Sequence, residues 1–240
     1  MSDVQFAAAG SDYLDTAFVA KGVGGWRALY LRFIEALKPD CVMEVGSGTP
    51  DFLSGVNARR RVAVDIGERF AGDFKRLGID FRRRDLETDD LSDIAEVDIA
   101  ICSDVFEHLL HPLAALERLA KSLSPSGALL SHVPNEFQLG HLMRVGFGSA
   151  KASAFHESAS EWNDPHIRRF TPPGYRQFLE RCFPLNLSLT DMRYSSAARA
   201  LHAAGIAVPF CLQGGPTFVS TKDPNTFERF VALKKELSKM

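Results

Sequence analysis

The segment Val42–Gly48 constrains the fold of this 240-residue chain more than any other part of its sequence. An apolar run carrying Glu44 leads into a turn that holds Gly46 and Gly48, and a second apolar run ends at Asp65. This order is typical of a strand, a glycine-rich loop, a crossover helix and a second strand that ends in an acid. An acid about 20 residues after such a loop is placed to accept hydrogen bonds from ribose hydroxyls. The segment therefore predicts a binding site for an adenosine-containing cofactor.

Apolar runs of strand length alternate with helical segments up to residue 133, and regular patterns resume after residue 169. Such alternation predicts a mostly parallel sheet with right-handed crossover connections. We expect strands over 41–45, 61–66, 79–84, 97–102, 128–133, 185–191 and near 217–221. We expect helices or helical turns over 25–38, 51–57, 68–77, 105–110, 112–123, 172–182, 195–204 and 226–238.

The chain length fits a single domain over residues 1–240. Residues 1–21 lack a regular pattern and are predicted to form an N-terminal arm. Residues 135–169 are polar and partly glycine-rich, and a connection of this length usually has a function. We therefore expect 135–169 to form a lid over the substrate.

Composition and charge exclude several classes of function. The net charge of −2 and the isoelectric point of about 6.4 argue against a broad nucleic-acid-binding surface. The four cysteines form no CxxC pair, so the sequence suggests neither a zinc site nor a disulfide framework. Neither a basic start before an apolar core nor an apolar run of about 18 residues occurs, so a cytoplasmic protein without a membrane span is expected.

The glycine-rich turn differs from the loops that bind phosphates. No Gly-Lys pair occurs, so the chain lacks the phosphate loop of nucleotide hydrolases. Asp51 stands where the third glycine of a dinucleotide-binding loop is expected, and a carboxylate there would repel a pyrophosphate. A Tyr-xxx-Lys pair is also missing from the sequence, which disfavours a nicotinamide-dependent oxidoreductase. The turn thus favours a nucleoside cofactor without phosphates.

An ordered set of motifs resembles the class I S-adenosylmethionine-dependent methyltransferases, in the small-molecule group that includes ubiquinone-type O-methyltransferases. The motifs span about residues 40–182 and consist of Glu44–Gly48, Val64–Ile66, Arg84–Leu86, Ser103–Leu109, Ser126–Asn135 and His166–Pro172. The resemblance implies an α/β, Rossmann-like sandwich with helices on both faces of a mostly parallel seven-stranded sheet whose last strand is antiparallel. It also implies S-adenosylmethionine as the cofactor and S-adenosylhomocysteine as the product.

The resemblance assigns cofactor contacts to residues of the first motif. Glu44 is expected to hold the cationic amino group of the cofactor, directly or through water. Gly46, Ser47 and Gly48 form the loop that lets the backbone approach the methionine part closely. Pro50 departs from the family pattern, in which a small residue is common, and proline fixes the backbone and removes a donor.

The later motifs supply the remaining contacts that the resemblance implies. Asp65 is expected to accept hydrogen bonds from both ribose hydroxyls, and Ile66 to pack on the adenine. Asp85 is expected to accept from the adenine amino group, with the Leu86 backbone nearby; alternatively, Asp85 is a surface acid paired with the preceding arginines. Ser103 is expected beneath the cofactor, at the end of the fourth strand.

The candidate catalytic residues are His108 and His166. A hydroxyl acceptor must lose a proton during methyl transfer, which suits a histidine. Asp104, Glu107, His108 and His111 would share one face of a continuous helix, an arrangement that raises the question of a metal. Because Pro112 is expected to end that helix, we predict no metal. His108 as a purely structural residue remains an alternative.

The sequence favours a methyltransferase that acts on a hydroxyl, or on an amine, of a small molecule. Nucleic acid is not expected as a substrate, and a homodimer is left open. A non-catalytic domain that kept the fold is the alternative, for which Pro50 is the sequence hint.

Overall fold

Seven strands form one mixed sheet in the computed structural model, which describes residues 25–147 and 166–239. The strands are β1 (Cys41–Val45), β2 (Arg60–Asp65), β3 (Asp80–Arg83), β4 (Val97–Ser103), β5 (Leu123–His132), β6 (Leu185–Ser188) and β7 (Thr217–Thr221). Their order is β3-β2-β1-β4-β5-β7-β6, and β7 runs antiparallel to both of its neighbours. The predicted mostly parallel, seven-stranded sheet with an antiparallel last strand is confirmed.

Helices cover the sheet, and several of them begin at residues that favour a helix start. The helices are α1 (Gly25–Leu37), α2 (Asp51–Ser54), α3 (Ala71–Arg76), α4 (Pro112–Ser122), α5 (Leu139–Gly146), α6 (Pro172–Leu179), α7 (Ser196–Ala203) and α8 (Pro224–Leu237), with short 3₁₀ turns at Phe106–His108, Thr190–Arg193 and Phe210–Leu212. α4, α6 and α8 carry proline in the first turn, where no intrahelical donor is lost. The Asp223 side chain caps α8 by accepting from the Thr226 N–H.

Alternate residues of the central strands belong to two separate hydrophobic cores, one on each face of the sheet. On β1, Met43 belongs to the core that α4 and α6 cover, whereas Val42 belongs to the core that α1, α2 and α8 cover. Because successive side chains of a strand point to opposite faces, a strand buried on both faces must be apolar throughout. The continuous apolar runs of β1 and β4 satisfy this requirement.

The strand order places a crevice beside β1. β1 pairs in parallel with β2 on one side and with β4 on the other. The sheet therefore grows from β1 first toward β2 and β3 and then, on the opposite side, toward β4 and β5. In open α/β sheets ligands bind at such a point, outside the carboxyl ends of the strands. The loops that follow β1, β2, β3 and β4 all begin at this edge.

α2 and β6 end earlier than expected, at Ser54 and Ser188, and three further differences stand out. β5 begins at Leu123 and includes Ser124–Gly127, which the sequence predicted as a turn. A register shift between Val97 and Ile99 absorbs the extra residues, and Gly127 allows the close approach, because a Cβ there would lie 2.7 Å from the Val97 carbonyl oxygen. The predicted turn over 105–110 is a three-residue 3₁₀ turn.

The third difference lies in the segment that was expected to be a lid. Its part 139–146 is the helix α5. Residues 148–165, which complete the predicted lid, and the predicted arm 1–21 lie outside the described residues. Over 25–147 and 166–239, none of the helices has the length and apolar character needed to cross a membrane. The single domain, the lid and the cytoplasmic location stay predictions.

The contact between α1 and α8 offers a test of the second core. Phe33 is fully buried, with its ring centroid 5.6 Å from that of Phe230. Phe33→Ala is expected to lower the free energy of unfolding by about 3–5 kcal/mol, because it leaves a cavity. Phe147→Ala is the matched control: its ring is 81% exposed, and the expected change is below about 0.5 kcal/mol. Urea denaturation measures both, and equal effects would contradict the assigned core.

Candidate active site

The glycine loop after β1 packs against the segment after β4. Gly46 has φ +64° and its N–H donates to the Val64 carbonyl at 2.8 Å. A Cβ at this position would lie 2.3 Å from the Val105 Cγ2 atom, so both the backbone angle and the available space require glycine. Gly48 also has a positive φ, of +56°. The positive φ angles and the contact with Val105 therefore explain why this turn needs glycine, as the sequence predicted.

Asp65 joins the glycine loop to the end of β2. Its buried carboxyl accepts hydrogen bonds from the N–H groups of Gly48 and Gly67, both at 2.8 Å. Burial raises the pKa of Asp65, while these two N–H groups act in the opposite direction. Each oxygen of an ionised carboxylate has a second lone pair, so Asp65 can accept further hydrogen bonds from a ligand diol. Ile66 follows it and is half-buried.

Glu44 is a buried carboxyl beside this loop. It is 2% exposed, and its Oε2 atom has no hydrogen-bond partner among the described residues. The Arg27 guanidinium of α1 lies 3.7 Å from Oε1, a neighbour that the sequence gave no reason to expect. Burial raises the pKa of Glu44 to about 8, against the opposing effect of Arg27. A carboxyl in this state gains from a cationic ligand group that reaches Oε2.

Asp85 and Leu86 follow β3 at the same edge of the sheet. Asp85 accepts from the Glu87 N–H at 2.8 Å and so shapes its own turn. The three preceding arginines are paired with other acids, namely Asp80, Asp93 and Glu68. Leu86 is buried in the first core, and its carbonyl accepts from Arg118 at 2.8 Å. The adenine contacts of both residues stay predictions.

Ser47 and Ser103 present buried hydroxyls at this edge. Ser47 lies in the glycine loop, and Ser103 ends β4. The Ser47 hydroxyl has no hydrogen-bond partner among the described residues, whereas the Ser103 hydroxyl faces that of Tyr30. Unpartnered buried polar atoms are rare in proteins and call for an explanation such as a ligand or water. Together with Glu44 and Asp65, they make an acceptor-rich edge that fits a nucleoside with a cationic amino-acid tail.

The candidate catalytic residues His108 and His166 lie side by side. Their ring centroids are 4.8 Å apart, and the rings meet edge to face. Arg168 fixes this approach, because its backbone N–H donates to the Glu107 carbonyl at 3.1 Å and its side-chain Nε donates to the Leu109 carbonyl at 3.2 Å. The sequence nominated the two histidines separately, and the structure brings them together.

The four-residue helical face expected from Asp104 to His111 does not form. The helical turn ends at His108, and His111 lies beyond it as the residue preceding α4, with an exposed side chain. His166 takes the place of His111. Each of three residues, Glu107, His108 and His166, offers one potential ligand atom, and these three atoms lie within 4.8 Å of one another. This group could hold a metal ion, so the prediction of no metal stays a prediction.

Glu107 is the acid of this group, and it is buried. It is 1% exposed, and both carboxyl oxygens lack a hydrogen-bond partner among the described residues. Burial and the neighbouring Asp104 raise its pKa well above the usual range. The His108 Nε2 lies 3.9 Å from the Glu107 Oε1.

Sequence reasoning missed Glu136 beside the histidines, and it placed Asp104 on a helical face that does not form. Asp104 has φ +55°, unusual for a residue with a side chain, and its Oδ1 lies 3.9 Å from the His132 Nε2 at the end of β5. Glu136 forms a short hydrogen bond with the His166 Nδ1 and an ion pair with the Arg169 Nε at 2.6 Å. Glu136 directly follows the Pro134–Asn135 motif, which was the available signal.

Comparison with known proteins identifies the family. The sequence model of a family described as "Methyltransferase domain" matches residues 20–182. The chain belongs to this methyltransferase family. No curated protein matches it.

Solved structures share the fold at low identity. The N-methyltransferase NodS from Bradyrhizobium japonicum, in complex with S-adenosylhomocysteine, has a TM-score of 0.51 and 12% identity, over 82% of this chain and 86% of NodS. A possible histamine N-methyltransferase from Thermotoga maritima has a TM-score of 0.56 and 15% identity, over 82% and 89% of the two chains. The plantazolicin methyltransferase BpumL, also with S-adenosylhomocysteine, has a TM-score of 0.53 and 16% identity, over 91% and 90%.

The resemblance to class I S-adenosylmethionine-dependent methyltransferases is thus confirmed, and with it the cofactor class. At these identities the structural neighbours establish the fold and not the substrate. The roles of the individual residues, from Glu44 to Ser103, remain predictions that the geometry above makes testable.

The ribose contact can be tested by removing the Asp65 carboxylate. Asp65→Ala removes a charged acceptor, at a cost of about 1.5–3 kcal/mol. The affinity for S-adenosylhomocysteine, measured by calorimetric titration, should fall about 10- to 100-fold. Asp80→Ala is the control, since Asp80 is exposed at the start of β3 and pairs with Arg82. Unchanged affinity in a folded Asp65→Ala variant would refute the ribose assignment.

The raised pKa of Glu44 predicts a pH dependence of ligand binding. Below pH 8 the carboxyl is mostly protonated, and it must ionise to pair with the ligand's ammonium group. Affinity for S-adenosylhomocysteine should therefore fall from pH 8 to pH 6, by at most about tenfold per pH unit. Titration in buffers of different ionisation enthalpy should show proton release on binding. In Glu44→Gln both effects should vanish; their persistence in this variant, or their absence in the wild type, would contradict the role.

Proposed function

We propose that this methyltransferase acts on a small molecule and transfers the methyl group to a hydroxyl, with an amine as the second candidate. The observation that carries the proposal is the pair of His108 and His166 beside the acceptor-rich edge of the sheet. Methyl transfer to a hydroxyl requires a base, and a histidine ionises in the right pH range to serve as one.

Different parts of the site serve binding and proton removal. When bound, S-adenosylmethionine supplies a methyl group on a sulfonium; the acceptor forms a bond to that carbon, and the carbon–sulfur electron pair stays on sulfur. Asp65 and Glu44 hold the two ends of the ligand, and the glycine loop lets the backbone approach it. His166 or His108 accepts the acceptor's proton, and the surrounding elements align the acceptor and exclude water.

Two considerations support a small acceptor. The net charge of −2 disfavours a nucleic acid. The neighbours of the same fold include NodS, described as an N-methyltransferase, and BpumL, described as a plantazolicin methyltransferase. Because two of the neighbours are described as N-methyltransferases or possible ones, an amine acceptor stays open.

One observation bears on each of the two alternative functions, a nicotinamide-dependent enzyme and a non-catalytic domain. Asp51 lies in the first turn of α2, where its carboxylate would face a pyrophosphate, which disfavours a nicotinamide cofactor. Pro50 precedes that helix with φ −74°. Because proline fixes the backbone and lacks an N–H donor, it is the feature that favours a non-catalytic domain of this fold. The homodimer that the sequence leaves open is tested by light scattering on the purified protein.

Calorimetric titration with S-adenosylhomocysteine and with NAD distinguishes the methyltransferase from a nicotinamide-dependent enzyme. We expect micromolar binding of S-adenosylhomocysteine and none of NAD. The protein is then incubated with S-adenosylmethionine and panels of phenols, alcohols and amines, and the S-adenosylhomocysteine formed is measured. Turnover restricted to hydroxyl acceptors supports the proposal, and turnover of amines alone makes the second candidate correct. Binding without turnover across the panels would contradict an enzymatic role.

The base itself is tested by His166→Ala. Loss of a general base is expected to lower kcat about 10²- to 10⁴-fold with a hydroxyl acceptor. His202→Ala is the matched control, since His202 lies in α7, away from the histidine pair. A folded His166→Ala variant with wild-type kcat would exclude His166 as the base.

A further inference from the structure

We infer that Glu136 is a positioning residue, which holds His166 with a proton on Nδ1 so that Nε2 is the atom that takes the acceptor's proton. The inference deepens the proposed function and rests on it. It adds a residue that neither the sequence motifs nor the family match singles out.

The hydrogen bond between Glu136 and His166 determines which ring nitrogen carries the proton. The Glu136 Oε1 meets the His166 Nδ1, and the Glu136 Oε2 lies 2.6 Å from the Arg169 Nε. An ionised carboxylate only accepts hydrogen bonds, so the shared hydrogen must belong to Nδ1. In neutral imidazole the other nitrogen, Nε2, then carries the lone pair that accepts a proton.

Independent contacts fix the two partners, although 30 residues separate them. On the Glu136 side, Asn135 donates to the carbonyls of Phe210 and Gln213, at 2.8 and 3.0 Å, and accepts from the Phe137 N–H at 3.0 Å. All the hydrogen-bonding capacity of the Asn135 amide nitrogen is thereby used to anchor the segment that follows β5. Glu136 is consequently held in place before any ligand binds.

The His166 side is anchored to the turn after β4. Arg168 donates through its backbone and its guanidinium to the carbonyls of Glu107, Leu109 and Leu110. His166 thus lies between the turn that carries His108 and the segment that carries Glu136. The side chains of His166 and Glu136 are only 17% and 10% exposed, so solvent screens their interaction weakly.

On the other ring of the pair, the His108 Nε2 lies 3.9 Å from the Glu107 Oε1, which is beyond a hydrogen bond. As the acceptor's O–H bond breaks, its proton moves to the His166 Nε2, and the Glu136 carboxylate stabilises the positive ring. The proton later leaves from Nε2 to water, which restores the neutral ring.

NMR of protein labelled with ¹⁵N histidine tests the placement without ligand or acceptor. At a pH where imidazole is neutral, we expect the His166 spectrum to show a protonated Nδ1 and an unprotonated Nε2. Glu136→Ala should abolish this preference, and Glu180→Ala should not, although Glu180 is also paired with an arginine, Arg176 at 2.9 Å. If Glu136→Ala does not fold, Glu136→Met removes both acceptor oxygens at nearly constant length, and Glu136→Gln, which keeps one acceptor oxygen, serves for the kinetics alone. An unchanged His166 tautomer in a folded variant that lacks the carboxylate would overturn the inference.

Kinetics with a hydroxyl acceptor then separate positioning from a structural role. Glu136→Ala, or Glu136→Gln in its place, should lower kcat about 10²-fold, as misplacement of a reacting group does. The KM of the acceptor and the Kd of S-adenosylhomocysteine should stay within about twofold of the wild-type values. A tautomer change with unchanged kcat would overturn the inference while leaving the methyltransferase activity intact. Absence of turnover in the wild type would instead refute the proposed function itself.

Discussion

The hydrogen bonds from the N–H groups of Gly48 and Gly67 to the Asp65 carboxylate join the ends of β1 and β2, and the candidate site depends on them. They fix the glycine loop in a shape that two positive φ angles permit, and they leave lone pairs for a ligand. The Gly46 N–H bond to the Val64 carbonyl reinforces the same junction. The loop is thus shaped by the protein alone, before a cofactor arrives.

The second feature of the site is the number of acids that are buried without full compensation. Burial raises the pKa of Glu44 to about 8, and that of Glu107 rises well above its usual range. Burying charges is costly unless they are paired, and sites that bind or transform ligands are where such groups collect. A cationic ligand can supply the missing partner of Glu44, so part of the cost of folding this site is recovered on binding.

The sequence predicted the parts of this protein that depend on local pattern. The strand–loop–strand unit around Glu44 and Asp65 follows from apolar runs and glycines, and the sheet topology follows from alternation and the family resemblance. The short α2 ends at its cap residue Gly55, a local signal that the expected helix over 51–57 overlooked. The early start of β5 could not be predicted, since it depends on the approach of Gly127 to Val97, which is distant in sequence. The roles of Arg27 and Glu136 could not be predicted for the same reason, because their partners, Glu44 and His166, are 17 and 30 residues away in sequence. The pairing of His108 with His166 likewise depends on long-range contacts, among them those of Arg168.

The measurement that tests the account most directly is a crystal structure of the protein with S-adenosylhomocysteine bound. The account predicts the ribose hydroxyls on the Asp65 carboxylate and the amino group of the ligand at Glu44, with the sulfur directed toward the segment after β4. A ligand bound elsewhere, or one in this crevice whose ribose lies away from Asp65, would contradict the account.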